Sequence, residues 1–143
     1  MLLLHATCVE IDRLAVLLRG PSGSGKSDLA LRLIDAGARL VADDQVELEG
    51  RGGRLWARAP AALAGILEVR GIGLRRLAYR DRASVGLVAD LVAPERIERL
   101  PEPATEMLAG IVLPRLALAP FEAAAVAKLR LVMRQAALHG GVR

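Results

Sequence analysis

Gly20-Pro21-Ser22-Gly23-Ser24-Gly25-Lys26-Ser27 fills every position of the pattern G-x-x-x-x-G-K-[ST]. These residue types are what a loop needs to wrap its backbone around an anion. Glycines permit tight, left-handed turns and close approach, and consecutive N–H groups then face a single concavity. In such a loop Lys26 reaches the β and γ phosphates of a nucleoside triphosphate, and the Ser27 hydroxyl binds Mg²⁺. The N-terminus of the following helix adds partial positive charge to the same place.

The flanks agree with this reading. Leu14-Ala15-Val16-Leu17-Leu18 is a continuous apolar run of the kind a buried strand requires, and Asp28-Leu29-Ala30-Leu31-Arg32-Leu33-Ile34 has apolar residues at helical spacing. Strand, loop and helix therefore come in the necessary order. Lys26 is also one of only two lysines against eighteen arginines. A chain that otherwise uses Arg for positive charge has placed a compact ammonium where phosphates must fit around it.

Outward from the loop, the spacing predicts a strand over Leu2–Ile11, a tight turn at Asp12-Arg13, a helix over Lys26–Asp35 capped near Gly37, and a short strand Arg39–Ala42. A hairpin follows, with strands 45–48 and 54–57 around the turn Gly50–Gly53. Pro60–Ala64 reads as a short helix. An extended glycine-punctuated segment Gly65–Gly73, an arginine-rich stretch, a strand Val85–Val92 and an exposed Pro-Glu-Arg-rich stretch Ala93–Thr105 come next. Ile111–Leu118 is a late strand, and Phe121–Leu138 one long apolar helix with Gly140-Gly141 past its end. In that helix Ala124, Val126, Leu129 and Val132 spread around much of the circumference. The expected architecture is a single α/β domain with a mixed β-sheet and flanking helices.

Composition narrows the partners. The chain of 143 residues is 53% apolar but only 2% aromatic, so Ala, Leu and Val fill its core. The net charge of +4 comes from scattered arginines, with neither a basic block nor interleaved aromatics to suit nucleic acid. No apolar run approaches the ~18 residues of a membrane span, and Met1-Leu2-Leu3-Leu4 lacks the flanks of a signal peptide. A single cysteine, Cys8, in an apolar strand reads as a buried structural thiol in a reducing, cytoplasmic setting.

Candidates for chemistry lie beyond the loop. Asp43-Asp44 ends an apolar strand 17 residues after Lys26, placing one acid toward a metal and leaving the other to face an attacking hydroxyl. Glu68 and Arg70, two apart in an extended segment, share one face and read equally as a surface ion pair or as part of a ligand-facing segment. His5 sits in an apolar strand, where a hydrogen-bonded core histidine is the ordinary reading. His139 reads as solvated. Arg75, Arg76, Arg80 and Arg82 form a local basic cluster.

Together, His5-Ala6-Thr7-Cys8-Val9, the loop Gly20–Ser27 followed by Asp28, Leu40-Val41-Ala42-Asp43-Asp44 and Glu68-Val69-Arg70-Gly71-Ile72-Gly73 resemble the HPr kinase/phosphorylase family. The likeness is weaker over Val112–Leu116 and the last helix. It matches the catalytic domain of the longer enzymes, as in the short proteobacterial form. Pro21 in the loop, Asp28 in place of the usual Glu, and a compressed region between Gly73 and Pro114 depart from the pattern. The resemblance implies a phosphoenolpyruvate carboxykinase-like fold, ATP and Mg²⁺, and serine phosphorylation of the phosphocarrier protein HPr, with reversal by inorganic phosphate. By resemblance, Asp43 is the general base, Asp44 and Glu68 sit with Mg²⁺, His5 lines the phosphate pocket, and Arg70, Gly71 and Gly73 support the signature segment. It also implies a homo-oligomer, a hexamer in relatives, acting in carbon- or nitrogen-linked regulation. A small-molecule kinase and a non-catalytic ATP-binding sensor are the competing readings.

Overall fold

The computed structural model describes residues 1–138. Its opening strands are β1 (Leu2–Leu4), β2 (Thr7–Ile11) and β3 (Leu14–Arg19), followed by helix α1 (Lys26–Asp35) and β4 (Arg39–Ala42). Then come the hairpin β5 (Val46–Arg51) and β6 (Arg54–Arg58), a second hairpin β7 (Ile66–Val69) and β8 (Gly73–Arg76), and the long β9 (Ala83–Leu91). The chain finishes with β10 (Ala104–Leu108), β11 (Ile111–Leu118) and helix α2 (Ala125–Leu138). His139 and Gly140-Gly141 lie outside the described residues.

β3 and β9 organise the sheet. They run parallel, with Leu17 opposite Val88 and Arg19 opposite Asp90, and β9 is flanked on its other side by β6 near its start and by parallel β11 near its end. The remaining main-sheet pairings are antiparallel, so the sheet is mixed, as expected, and it curls because β9 changes partner along its length. Both faces of β3 are covered, which is why its sequence is a continuous apolar run. Val16 and Leu18 face α1 and α2 in one core, while Ala15 and Leu17 join a second core with Cys8, Val46, Leu55 and Val85. Full burial of each leucine contributes about 1.5–3 kcal/mol.

Helix α1 buries Leu29, Ala30 and Leu33. Its end is set by Gly37, whose φ of 109° follows from the reversal in which Ala38 N–H reaches Leu33 C=O and Gly37 N–H reaches Ile34 C=O. Burial of Cys8, reinforced by nearby Glu10, pushes its thiol far above the usual range, so it is the inert core thiol anticipated.

The structure corrects several boundaries. The first strand is split at His5-Ala6: β1 pairs with β5, whereas β2 pairs with β3 and β4. The chain changes sheet edge there, and Ala6 N–H bonds Asp44 C=O. The segment through Arg70 is not extended, because β7 stops at Val69 and Gly71, at φ 86°, turns it back into β8. β10 was not foreseen; its pairing with β11 gives partners to residues that look loop-like in sequence. Helix α2 starts at Ala125 rather than Phe121. The Arg32 guanidinium takes the Pro120 carbonyl, so the peptides before Ala125 form turns instead. The buried stripe of α2 is Ala125, Leu129 and Met133, while Ala124 is exposed. The arginine cluster disperses: Arg80 pairs with Glu10 at 2.8 Å and Arg82 covers the Trp56 ring at 4.6 Å.

A half-buried ion network closes the sheet immediately before the glycine-rich loop. Arg19 bonds both Asp90 oxygens, at 2.8 and 3.1 Å, and both Glu106 oxygens, and Arg115 adds a contact to Glu106 at 3.3 Å. These bonds raise the Arg19 pKa, Glu106 contributing most, and hold the Glu106 carboxyl below the usual range. Because folding favours ionised Glu106, its contribution is complete well above about pH 4.5 and is lost as pH falls through the depressed folded value. Glu106→Gln is expected to lower stability at neutral pH and to flatten the loss on acidification. Urea midpoints at about pH 7 and about pH 3 check this; an unchanged acid slope would assign the effect to other carboxylates.

Candidate active site

The glycine-rich loop leaves the carboxyl end of β3 and enters α1 at Lys26. Gly25 caps the helix at φ 100° and Gly23 lies at φ 81°, backbone that an L side chain adopts only with strain. Gly20 is required for a different reason, since a Cβ there would lie 2.4 Å from Ser24 Oγ. Lys26 is buried and donates from Nζ to the carbonyls of Gly20 at 2.6 Å and Pro21 at 3.0 Å. Ser24 Oγ is buried without a hydrogen-bond partner among the described residues, so the loop holds an unsatisfied polar group.

Asp43 joins this loop to the rest of the site. Its carboxylate is buried; Oδ1 accepts from Ser27 Oγ at 2.8 Å and from Thr7 Oγ1 at 3.0 Å, and Oδ2 accepts from Glu68 N–H at 3.1 Å. Asp44 behaves oppositely. Its φ of 72°, with Gln45 N–H bonded to Asp43 C=O at 2.8 Å, makes a three-residue γ-turn. The turn sends Asp44 outward, 63% exposed, with Oδ1 3.4 Å from His5 Nδ1. His5 is therefore no core histidine. It is half exposed at the break between β1 and β2 and aligned with an acid.

The structure thus brings Lys26, Ser27, Asp43, Asp44, His5 and the Glu68 backbone to one place. The Glu68 and Arg70 side chains are exposed and form no ion pair with each other among the described residues. Gly71 and Gly73 form the turn of the β7–β8 hairpin, at φ 86° and 107°. Thr7 had no assigned role in sequence. Its signal was a hydroxyl between apolar Ala6 and Cys8 in a run that becomes a buried strand, where it needs a partner. Available donors near the loop are oxygens, Ser27 Oγ and Asp43 Oδ, which suit a hard cation such as Mg²⁺. Among the described residues no group of three His, Cys, Asp or Glu forms a ready-made metal cage.

The fold and site define a mixed α/β domain with a phosphate-loop motif after β3 and two adjacent acids after β4, with β2 between the two strands. A family model described as the HPr Serine kinase C-terminal domain matches residues 2–106, and the chain belongs to that family. The HPr kinase/phosphorylase of Clostridium beijerinckii is 45% identical over 71 residues, covering 50% of this chain and 24% of the relative. That of an Acidovorax species is 40% identical over 121 residues, or 76% of this chain and 38% of the relative. The chain therefore spans about a quarter to two fifths of these curated relatives. The solved structure of the HPr(Ser) kinase/phosphatase from Coxiella burnetii matches with a TM-score of 0.86 at 28% identity, over 97% of this chain and 98% of that one.

Thr7→Val retains shape and removes one donor from the buried Asp43 carboxylate. It is expected to destabilise the chain by about 1–3 kcal/mol, read from urea denaturation. An unchanged midpoint would mean that the Ser27 and Glu68 bonds suffice.

Proposed function

We propose that this chain is an ATP-dependent serine kinase of an HPr-type phosphocarrier protein, and that it also catalyses the reverse reaction with inorganic phosphate. The carrying observation is the Asp43 bridge to Ser27, with Asp44 held outward beside His5 at the mouth of a complete phosphate loop. Family membership supports the substrate class. On this reading the 143 residues act as one catalytic unit with a phosphoenolpyruvate carboxykinase-like fold. The enzyme works in the cytoplasm as a homo-oligomer, a hexamer as in the family, without nucleic acid or a membrane as partner. No helix among the described residues is long and apolar enough to cross a membrane.

The loop N–H groups and Lys26 bind the triphosphate. Lys26 exchanges its loop carbonyls for phosphate oxygens, and Ser24 Oγ can then find an acceptor. Mg²⁺ would be held by Ser27 with Asp43 and Glu68 beside it, and would neutralise charge on the phosphates. Hydrogen bonds favour dividing the two acids the other way from the sequence-based expectation. Asp43 is buried, accepts from Ser27 and two further protein donors and belongs to the Ser27 side, whereas Asp44 is open to a substrate hydroxyl. Asp44 takes the serine proton as the serine oxygen attacks the γ phosphorus and the bond to the β-phosphate oxygen breaks, releasing ADP. In reverse, a phosphate oxygen attacks the phosphoserine phosphorus, protonated Asp44 returns the proton to the leaving serine oxygen, and pyrophosphate forms. His5 orients Asp44. Arg70, Gly71 and Gly73 keep the Glu68 segment folded back over Asp43.

Transfer of labelled γ-phosphate from Mg-ATP to a purified HPr-type carrier tests this reading. Asp44→Asn should lose about 10²–10⁴-fold in transfer while still binding ATP, and Asp43→Asn should weaken Mg-ATP binding itself. Full transfer by Asp44→Asn would return the base role to Asp43. ATP binding without any carrier labelling by the unaltered protein would favour a sensor or a small-molecule kinase.

A further inference from the structure

A phosphate loop reads phosphates, and none of the loop residues described above is suited to hold the base of a nucleotide. The chain has three aromatic residues, Trp56, Tyr79 and Phe121. Trp56 is covered by Arg82, and Tyr79 packs on Gly65. Phe121 alone stands at the loop. A Cβ built on Gly25 would lie 2.7 Å from Phe121 Cζ, so the ring rests against the glycine that precedes Lys26.

Topology explains the placement. β3, β9 and β11 are adjacent and parallel, so the phosphate loop after β3 and the turn after β11 leave the sheet at the same carboxyl edge. That edge is where open α/β sheets bind ligands. The turn is tied to α1 by the bond from the Arg32 guanidinium to the Pro120 carbonyl. Phe121 nevertheless remains 68% exposed. An apolar ring held in position, open to solvent and touching an anion-binding loop, has the attributes of a stacking platform.

We propose that Phe121 is the stacking wall for the base of the bound nucleoside triphosphate, which makes the turn between β11 and α2 the nucleobase subsite. This rests on the nucleotide reading of the loop. Because every base presents a π face, stacking on Phe121 favours a nucleotide over a bare polyphosphate and discriminates little between adenine and guanine.

Calorimetric titration with Mg-ATP, Mg-GTP and inorganic triphosphate tests the inference on the unaltered protein and on Phe121→Ala, Phe121→Leu and Phe121→Trp. Loss of the ring should weaken ATP and GTP by roughly 5- to 100-fold and leave triphosphate unchanged, with Phe121→Trp restoring nucleotide affinity. Phe121→Leu retains apolar bulk and should still lose affinity. An equal loss for triphosphate would overturn the proposal by reducing the ring to a prop for the loop, and so would undiminished ATP affinity in Phe121→Ala. Unaltered protein that binds triphosphate as tightly as ATP would also overturn it while sparing the phosphate loop; binding neither would remove the nucleotide reading itself.

Discussion

The buried carboxylate of Asp43 is the constraint on which the site depends. It gathers Thr7 from β2, Ser27 from the start of α1 and the N–H of Glu68 from β7. A carboxylate so far from water is tolerated only with its oxygens hydrogen-bonded, and each donor lost leaves a desolvation cost behind. The consequence is mechanical. β7 and β8 form a separate two-stranded sheet, and the Asp43 bond, together with burial of Leu67 in the helix-side core, fastens that hairpin beside α1.

Asp44 shows the other half of the arrangement. Adjacent residues in a regular strand would alternate faces, but the γ-turn at φ 72° separates these two acids more strongly, one into the protein and one into solvent. Strained backbone persists where surrounding bonds determine it, and such positions collect at functional sites. Here the Asp43 bonds, the Gln45 to Asp43 turn and the Ala6 to Asp44 bond supply that determination. The break between β1 and β2 then places His5 opposite Asp44, so a change of sheet edge also aligns the exposed acid.

Much of the fold was legible because it rests on local chemistry. The apolar run of β3, the period of α1, Gly37 at its end and the strand Ile111–Leu118 all appear where sequence spacing predicts them. The misses have two causes. The split of the first strand and the late start of α2 each depend on a partner distant in sequence, β5 for β1 and Arg32 for Pro120. β10 is instead half of a local hairpin with β11 about Ala109-Gly110, hidden by the polar, proline-rich stretch before it, and only its Glu106 contact with Arg19 is long-range. Thr7 was overlooked because a lone hydroxyl in an apolar run acquires meaning only from what it faces.

The sequence by itself determined which groups are available: a complete G-x-x-x-x-G-K-[ST] pattern, paired acids after an apolar strand and a glycine-punctuated segment. These are readable because backbone dihedrals, spacing and side-chain type are properties of short stretches. Only the tertiary structure decided how Asp43 and Asp44 differ, why His5 is not a core residue, and that Phe121 lies on Gly25. Each of those facts is set by packing and hydrogen bonds between segments tens of residues apart, where the long-range contact, and not local propensity, governs the outcome.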